Sequence, residues 1–223
     1  METREIFIFP SVNASDHENE ILIFAKRPLL GRCKTRLAQG VGDANALLIY
    51  QALLDHTLAA VRETPYRKVL MADPPEHAAD GPQWAPSMDA YFAQAQGDLG
   101  ERMASAVAAA FGRGAKKIIL IGCDCPQISK DSVISTFNEL DRTDVVLGPT
   151  VDGGYYLLGL KENHASLFQD VPWSTGVVLE KTLNILKFQT LSYISLNAFS
   201  DAGTLEDFTR VRHLEPLKHL GIR

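Results

Sequence analysis

The feature that most constrains the fold is an alternation of short apolar runs with longer helical patterns. The apolar runs predict strands at Ile21–Ala25, Lys68–Ala72, Tyr91–Ala95, Lys117–Gly122, Val145–Thr150, Tyr155–Leu160 and Leu191–Leu196. The longer patterns predict helices at Asp43–Glu63, Leu99–Phe111, Lys130–Leu140, Gly176–Phe188 and Thr204–Leu214. This alternation predicts an α/β domain with a mainly parallel sheet. In such sheets, ligands bind beyond the carboxyl ends of the strands.

One segment predicts a local exception to parallel pairing. Asp152-Gly153-Gly154 stands between two apolar runs, which is typical of a β-hairpin. We expect residues 1–19 to form an N-terminal extension and residues 20–223 to form a single domain. Within it, Asp73–Ser87 is rich in Pro, Asp and Ala and predicts an exposed connection.

Composition excludes several classes of protein. The net charge is -5, which argues against binding a nucleic-acid polymer. Three cysteines, Cys33, Cys123 and Cys125, do not form the framework of a disulfide-rich secreted protein, and no second pair has zinc-site spacing. We see no signal peptide, no membrane span, no G-x-S-x-G and no H-E-x-x-H. We therefore expect a cytoplasmic protein with small-molecule partners.

The loop after the first predicted strand concentrates positive charge in an acidic chain. Its basic residues are Lys26, Arg27, Arg32, Lys34 and Arg36, and Pro28 and Gly31 shape the turn. Backbone N–H groups and these side chains make the loop a candidate phosphate cradle, although a solvated basic loop has the same pattern. It is not a Walker loop, because Cys33 stands where glycine must precede the lysine.

Asp124 follows the apolar run Lys117–Gly122, so we expect it at the carboxyl tip of a buried strand. A carboxylate there suits Mg²⁺ or Mn²⁺, which prefer oxygen ligands and often bridge protein carboxylates to phosphates. The alternative is that Asp124 caps a turn before the next helix.

Two glycine-containing segments have both a structural and a functional interpretation. In QGDLGERM, Asp98 and Glu101 fit a helix-capping box, whereas Gly97 and Gly100 would accommodate a base or ribose. The Asp152 turn is ordinary hairpin chemistry, or else its glycines let substrate approach the backbone.

Five segments occur in order: FAKRPLLGRCKTRLAQG, QGDLGERM, LIGCDCP, VVLGPTVDGGYYLLGL and VPWSTGVVLEKTL. Together they resemble a family of bacterial transferases associated with radical-SAM/selenodomain genes and linked to arsenosugar biosynthesis. That family belongs to the GT-A, nucleotide-diphospho-sugar transferase superfamily. The resemblance covers nearly all of residues 20–212. A more distant similarity, through A-K-x-P, K-T-R-L, the strand-ending Asp and the D-G-G turn, is to phospholactate guanylyltransferases.

The resemblance implies a GT-A-like, three-layer α/β/α fold with a mixed, mainly parallel sheet, and it assigns residues to each part of the site. On the donor side, Lys34 and Arg36 would bind phosphates, in the loop of Lys26 and Gly31, and Gln96, Gly97 and Gly100 would lie near the nucleotide. On the acceptor side would lie Asp152, Gly153, Gly154, Tyr155, Trp173, Ser174 and Thr175. Asp124 would bind the divalent cation.

One departure from the family pattern affects the metal. The family's late motif reads D-x-D-T, whereas this chain has Asp201-Ala202-Gly203-Thr204. If the missing carboxylate normally supplies the second metal ligand, Asp201 must substitute or the metal binds more weakly.

The resulting hypothesis is metal-dependent glycosyl transfer from a nucleotide sugar, with Asp152 as the candidate general base and Lys34 and Arg36 offsetting negative charge. The alternatives are nucleotidyl transfer from an NTP, which would release pyrophosphate, and a non-catalytic nucleotide-binding module, which Gly203 favours.

Overall fold

The apolar runs form the strands of one sheet in the computed structural model, which describes residues 18–222. In order along the chain, the strands are β1 (Asn19–Lys26), β2 (Arg67–Asp73), β3 (Ala90–Ala93), β4 (Lys117–Ile121), β5 (Val145–Pro149), β6 (Tyr155–Leu160) and β7 (Tyr193–Ser195). All seven predicted strands are confirmed, and the largest differences are that β1 begins two residues earlier, β3 ends two residues earlier and β7 is shorter at both ends.

The helices pack on both faces of this sheet. They are α1 (Thr35–Val41), α2 (Asp43–Arg62), α3 (Gly81–Trp84), α4 (Leu99–Gly112), α5 (Lys130–Glu139), α6 (Val178–Phe188) and α7 (Leu205–Val211). The predicted capping box of α4 is confirmed, since Asp98 and Glu101 each bond the other's backbone N–H. Helices α1 and α3 were not predicted, because each is short and lies in a Gly- or Pro-containing loop.

The sheet has the strand order β3-β2-β1-β4-β6-β5-β7. β6 runs antiparallel to β4 and β5, while the other neighbouring strands pair in parallel. The predicted hairpin is therefore the β5–β6 turn, and Gly153 in it has φ +88°, which a side chain would strain. The six parallel strands all end at the same edge.

Burial of both sheet faces holds the layers together. One cluster joins β1, β2 and β4 to α2 and α5, with Ile23, Leu54 and Phe137 in its interior. A second cluster joins the other face to α4 and α6. A third, smaller cluster packs α7 against α1 and α2 around Leu37 and Phe208. This last contact brings the end of the chain back to the loop after β1.

The predicted single domain of residues 20–223 stays a prediction. The sheet already begins at Asn19, and residues 1–17 of the expected extension lie outside the described residues. Among the described helices, none is both long and apolar enough to cross a membrane.

Candidate active site

A cleft of about 370 Å³ opens at the sheet edge where the parallel strands end. It lies over the ends of β1, β2 and β4 and beside the β5–β6 turn. Ten of the residues singled out from the sequence line it: Lys26, Arg36, Asp124, Asp152, Gly154, Tyr155, Trp173, Ser174, Thr175 and Asp201. These residues come from distant parts of the chain, and the parallel strand ends bring them together.

Lys34 is not among the residues that line the cleft, but it connects three segments next to it. Its ammonium donates to Oδ1 of Asp124 at 2.6 Å and to the carbonyl of Ala202 at 2.9 Å, and its side chain is only 5% exposed. Lys34 is the residue before α1 and adopts a left-handed backbone conformation, φ 48°. Such a conformation in a non-glycine residue costs free energy, and here it accompanies a side chain that reaches Asp124.

Arg36, two residues further on and the second residue of α1, is exposed to the cleft. The side chains of Arg36 and Asp201 both lie close to Gly203. A Cβ on Gly203 would lie 2.8 Å from Oδ2 of Asp201 and 3.1 Å from Nη2 of Arg36. The absent side chain at position 203 therefore leaves room for both charged groups. The departure from the family pattern has a local steric consequence as well as a change in charge.

Four carboxylates, those of Asp73, Asp124, Asp152 and Asp201, line the same cleft. The Lys34 ammonium is the main cause that lowers the pKa of Asp124. Burial first, and then the negative charges of Asp152 and Asp124, raise the pKa of Asp201 to about 6. Lys34 thus neutralises Asp124, whereas the carboxylates of Asp152 and Asp201 leave an excess of negative charge in the cleft.

This excess fits a divalent cation. Oδ1 of Asp124 is taken by Lys34, and the carboxylate is otherwise open to the cleft with Asp201 nearby. Within residues 18–222, no group of three or more His, Cys, Asp or Glu side chains is arranged to hold a metal ion. Mg²⁺ commonly binds through one or two carboxylates and completes its shell with waters and phosphates. Asp124 and Asp201 therefore fit a two-carboxylate site.

Asp152 is held in position by its own turn. Its Oδ1 accepts a hydrogen bond from the Thr150 hydroxyl at 2.6 Å and another from the Gly154 N–H at 3.2 Å. Gly153 packs against the next loop, where a Cβ would lie 2.0 Å from the carbonyl oxygen of Gly176. The carboxylate is exposed but its position is constrained, as a positioned proton acceptor requires.

Five of the singled-out glycines and amides, Gly153 of the Asp152 turn among them, are not among the residues that line the cleft. Gly31 has φ +70° and lies nearest the Asp43 carboxylate at the start of α2. Gln96 is exposed, and the Gly97 carbonyl accepts a bond from Nε of Arg102. Gly100 is buried against Trp173, since a Cβ there would lie 2.0 Å from the indole Nε1. Gly100 thus positions a residue of the cleft wall.

Two polar residues of the cleft were missed from the sequence. Gln94 follows β3, and its side-chain amide donates to the Met71 carbonyl at 2.9 Å. Asp73 ends β2 and lies 3.3 Å from Arg102 and 3.9 Å from Lys26. Both line the cleft. The sequence pattern that predicted Asp124, a polar residue directly at a strand end, also applies to Asp73 and Gln94.

The fold is shared with solved structures. A protein of Desulfovibrio desulfuricans G20, provisionally named a nucleotide-diphospho-sugar transferase, is 28% identical with a TM-score of 0.81, and the match covers 91% of this chain and 90% of that one. A nucleotidyl transferase from Methanothermobacter is 15% identical with a TM-score of 0.58, covering 87% and 96%. A manganese complex of Rv0371C from Mycobacterium tuberculosis H37Rv is 15% identical with a TM-score of 0.53, covering 86% and 96%.

The sheet and its cleft thus define a protein of the nucleotide-diphospho-sugar transferase fold, as the resemblance implied. The chain belongs to the bacterial family DUF2064, described as "Uncharacterized protein conserved in bacteria", whose match spans residues 56–175. A search of curated proteins finds no match.

Proposed function

We propose that the protein is a metal-dependent glycosyltransferase that moves the sugar of a nucleotide-diphospho-sugar to a small acceptor. The observation that carries this proposal is the meeting of opposite charges in one cleft. Lys26, at the end of β1, and Arg36, in α1, line this cleft together with the carboxylates of Asp124 and Asp201, and Lys34 pairs with Asp124 beside it. A diphosphate and a divalent cation together match this charge pattern.

The basic residues have different roles in this proposal. Arg36 and Lys26 are exposed to the cleft and would bind the donor phosphates directly. Lys34 is nearly buried and already paired with Asp124, so it holds that carboxylate charged and in place. Positive groups around the leaving phosphate stabilise the negative charge that develops there, which is usually the largest contribution to catalysis.

Asp152 would act as the general base. The acceptor oxygen forms a bond to the anomeric carbon while the bond from that carbon to the phosphate oxygen breaks. The acceptor proton passes to the Asp152 carboxylate, and the nucleoside diphosphate leaves with the electron pair. The hydrogen bonds from Thr150 and Gly154 would orient Asp152 for this step.

Asp124 and Asp201 would hold the cation, Mg²⁺ or Mn²⁺. When bound there, a divalent cation would supply Lewis-acid stabilisation of the leaving phosphate. The manganese complex of the M. tuberculosis protein, which has the same fold, supports metal use. In this proposal Asp201 supplies the second carboxylate, because position 203 is glycine and has no side chain that could bind the cation.

Nucleotidyl transfer is the second candidate. Lys26 and Arg36, the basic residues that line the cleft, suit a triphosphate as well as a diphosphate, and one protein with this fold is named a nucleotidyl transferase. In this reaction a phosphorylated small acid attacks the α-phosphate of an NTP and pyrophosphate leaves. The products separate the two candidates, because glycosyl transfer releases a nucleoside diphosphate.

A thermal-shift screen tests the donor site. NTPs and nucleotide sugars are screened with Mg²⁺ or Mn²⁺, because a ligand that binds the native state raises its Tm. Hits are followed by product analysis. The absence of any Tm shift, with or without metal, would contradict the proposed donor site. Binding without turnover across a broad donor and acceptor panel would support the non-catalytic module instead.

Asp124→Ala tests the metal assignment on the identified reaction. We expect turnover to fall by about 10²–10³-fold at a metal concentration that saturates the wild type. Glu162→Ala is the matched control, because Glu162 is an exposed acid just after β6, at the opposite sheet edge. Near-normal turnover of Asp124→Ala would contradict the assignment.

Three broader assignments complete the proposal. The ordered motifs support a link to arsenosugar biosynthesis through radical-SAM/selenodomain genes. The free, buried cysteines Cys33, Cys123 and Cys125 support a cytoplasmic location. The acidic net charge supports small-molecule partners rather than a nucleic-acid polymer.

A further inference from the structure

One wall of the cleft is apolar. It lies next to Asp152 and is formed by the start of β6, the loop before α6, and the first turns of α4 and α6. The side chains are those of Leu99, Met103, Tyr155, Trp173 and Val178. The charged residues of the cleft come from the end of β1, the start of α1, the ends of β2 and β4, the β5–β6 turn and the Asp201 loop, and the polar Ser174 and Thr175 follow Trp173 in the loop before α6. The cleft therefore has a charged part and an apolar part.

The aromatic residues of this wall present ring atoms to the cleft rather than hydrogen-bonding groups. The Trp173 indole N–H donates to the Phe168 carbonyl at 3.4 Å, so it points away from the open cleft. The Tyr155 hydroxyl is buried without a hydrogen-bond partner in the described structure. Burial raises the pKa of Tyr155. The wall therefore selects for apolar contact.

The wall is also held rigidly. The Tyr155 and Trp173 rings meet edge to face at 6.2 Å and 89°, and the Phe168 ring stacks against Trp173 at 6.3 Å. The missing side chain at Gly100 admits the indole. Contact of Gly153 with Gly176 joins the Asp152 turn to the Trp173 loop. Asp152 and the aromatic wall thus keep a fixed spacing, which limits the size of a molecule that contacts both.

We propose that the acceptor is a small alcohol whose hydroxyl is carried on an apolar, preferably aromatic, group. This inference rests on the proposed function. The hydroxyl would face Asp152, and the apolar group would pack on Tyr155 and Trp173. The step is the one given above: the hydroxyl oxygen bonds the anomeric carbon, its proton passes to Asp152, and the nucleoside diphosphate leaves. A polyhydroxylated acceptor would leave hydroxyl groups unpaired against this wall.

Trp173 fluorescence tests the wall directly. The chain has two tryptophans, so Trp84→Phe leaves Trp173 as a single reporter. Benzyl alcohol is the probe and glycerol is its polar counterpart. We expect a saturable change in Trp173 emission with benzyl alcohol and none with glycerol.

Leu99→Asp in the Trp84→Phe protein should weaken benzyl alcohol binding at least tenfold, because a charge then faces the apolar group. The first turn of a helix accepts an acidic residue, so α4 should stay folded. Leu48→Asp is the matched control, since Leu48 is an exposed leucine of α2 that does not line the cleft. This control should bind benzyl alcohol like the Trp84→Phe protein.

Nucleotide thermal shifts on the same protein separate the two proposals. A nucleotide shift without saturable benzyl alcohol binding, or an equal response to glycerol, overturns the acceptor class and leaves the donor site intact. Benzyl alcohol binding without any nucleotide shift overturns the proposed function and the acceptor role with it. Mutually exclusive binding of benzyl alcohol and the nucleotide would show that the wall holds the base, which also overturns the acceptor class.

Discussion

The ammonium of Lys34 lies 2.6 Å from Oδ1 of Asp124, 90 residues further along the chain, and it also binds the carbonyl of Ala202. The Ala202 N–H in turn donates to the Asp124 carbonyl at 3.1 Å. These contacts tie the start of α1, the end of β4 and the segment before α7 into one unit. Lys34 and Asp124 were predicted from the sequence to bind phosphate and metal. Their contacts also hold these three segments of the site together.

Replacing Lys34 should destabilise the protein. Lys34→Met removes a charged hydrogen bond from Asp124 and leaves the Ala202 carbonyl without its donor, so we expect a loss of about 2 kcal/mol in the free energy of unfolding. Lys26→Met is the control, because Lys26 is 58% exposed and lies 3.9 Å from Asp73. Its effect should stay within about 0.5 kcal/mol. Urea denaturation measures both, and equal losses would contradict a structural role for Lys34.

A side chain at position 203 should weaken metal binding. In Gly203→Ala the new Cβ would lie 2.8 Å from Oδ2 of Asp201, so this carboxylate must move. We expect the Kd for Mn²⁺ to rise about tenfold, measured by calorimetry, if Asp201 is a ligand. Gly112→Ala, at the end of α4, is the control because a Cβ there meets nothing within 4 Å. An unchanged Kd for Gly203→Ala would argue against Asp201 as a ligand.

The buried carboxylate of Glu20 in β1 should matter for stability. Glu20 is 1% exposed and pairs with Arg67 at 2.8 Å and Arg113 at 2.7 Å. Glu20→Ala leaves two partly buried cations unpaired, so we expect a loss of about 3 kcal/mol in chemical denaturation. Glu18→Ala removes an exposed pair at 3.9 Å and should cost no more than about 0.5 kcal/mol. Similar losses in the two variants would show that the buried ion pairs contribute no more to the free energy of unfolding than the exposed pair does.

The contact between Asp144 and Ser192 should make stability depend on pH. The Ser192 hydroxyl donates to Oδ2 of Asp144 at 2.6 Å and its N–H donates at 2.9 Å, and these bonds lower the pKa of Asp144. Because the folded pKa is depressed, this contribution is complete above the unfolded value of about 3.9 and is lost as pH falls through the folded value.

Ser192→Ala should therefore lower Tm at pH 7, and the difference from wild type should shrink as pH falls below about 4. The free-energy loss at pH 7 should be about 0.5 kcal/mol, since the pair is exposed. Ser195→Ala, at the exposed end of β7, is the control and should show no such trend. A constant difference across the pH range would exclude Asp144 as its source.

The site shows which residues can be found from sequence. Asp124 and Asp152 were found because each stands at a recognisable boundary, a strand end and a Gly-Gly turn. Gln94 was missed although it also follows a strand, since an amide carries no signal by itself. Its orientation depends on the Met71 carbonyl of the neighbouring strand β2, which local sequence does not reveal.

The alternation of apolar runs and helical patterns by itself determined the α/β class, the strand positions, the β5–β6 hairpin and the sheet edge at which the cleft lies. These features depend on residues close in sequence, whose periodicity reports how each segment is buried. Tertiary structure alone decided that Lys34 pairs with Asp124, that Gly100 makes room for Trp173 and that Gly203 leaves space beside Asp201. Each of these contacts joins residues of different segments, or depends on the room that neighbouring segments leave, and only packing of the whole sheet sets those distances.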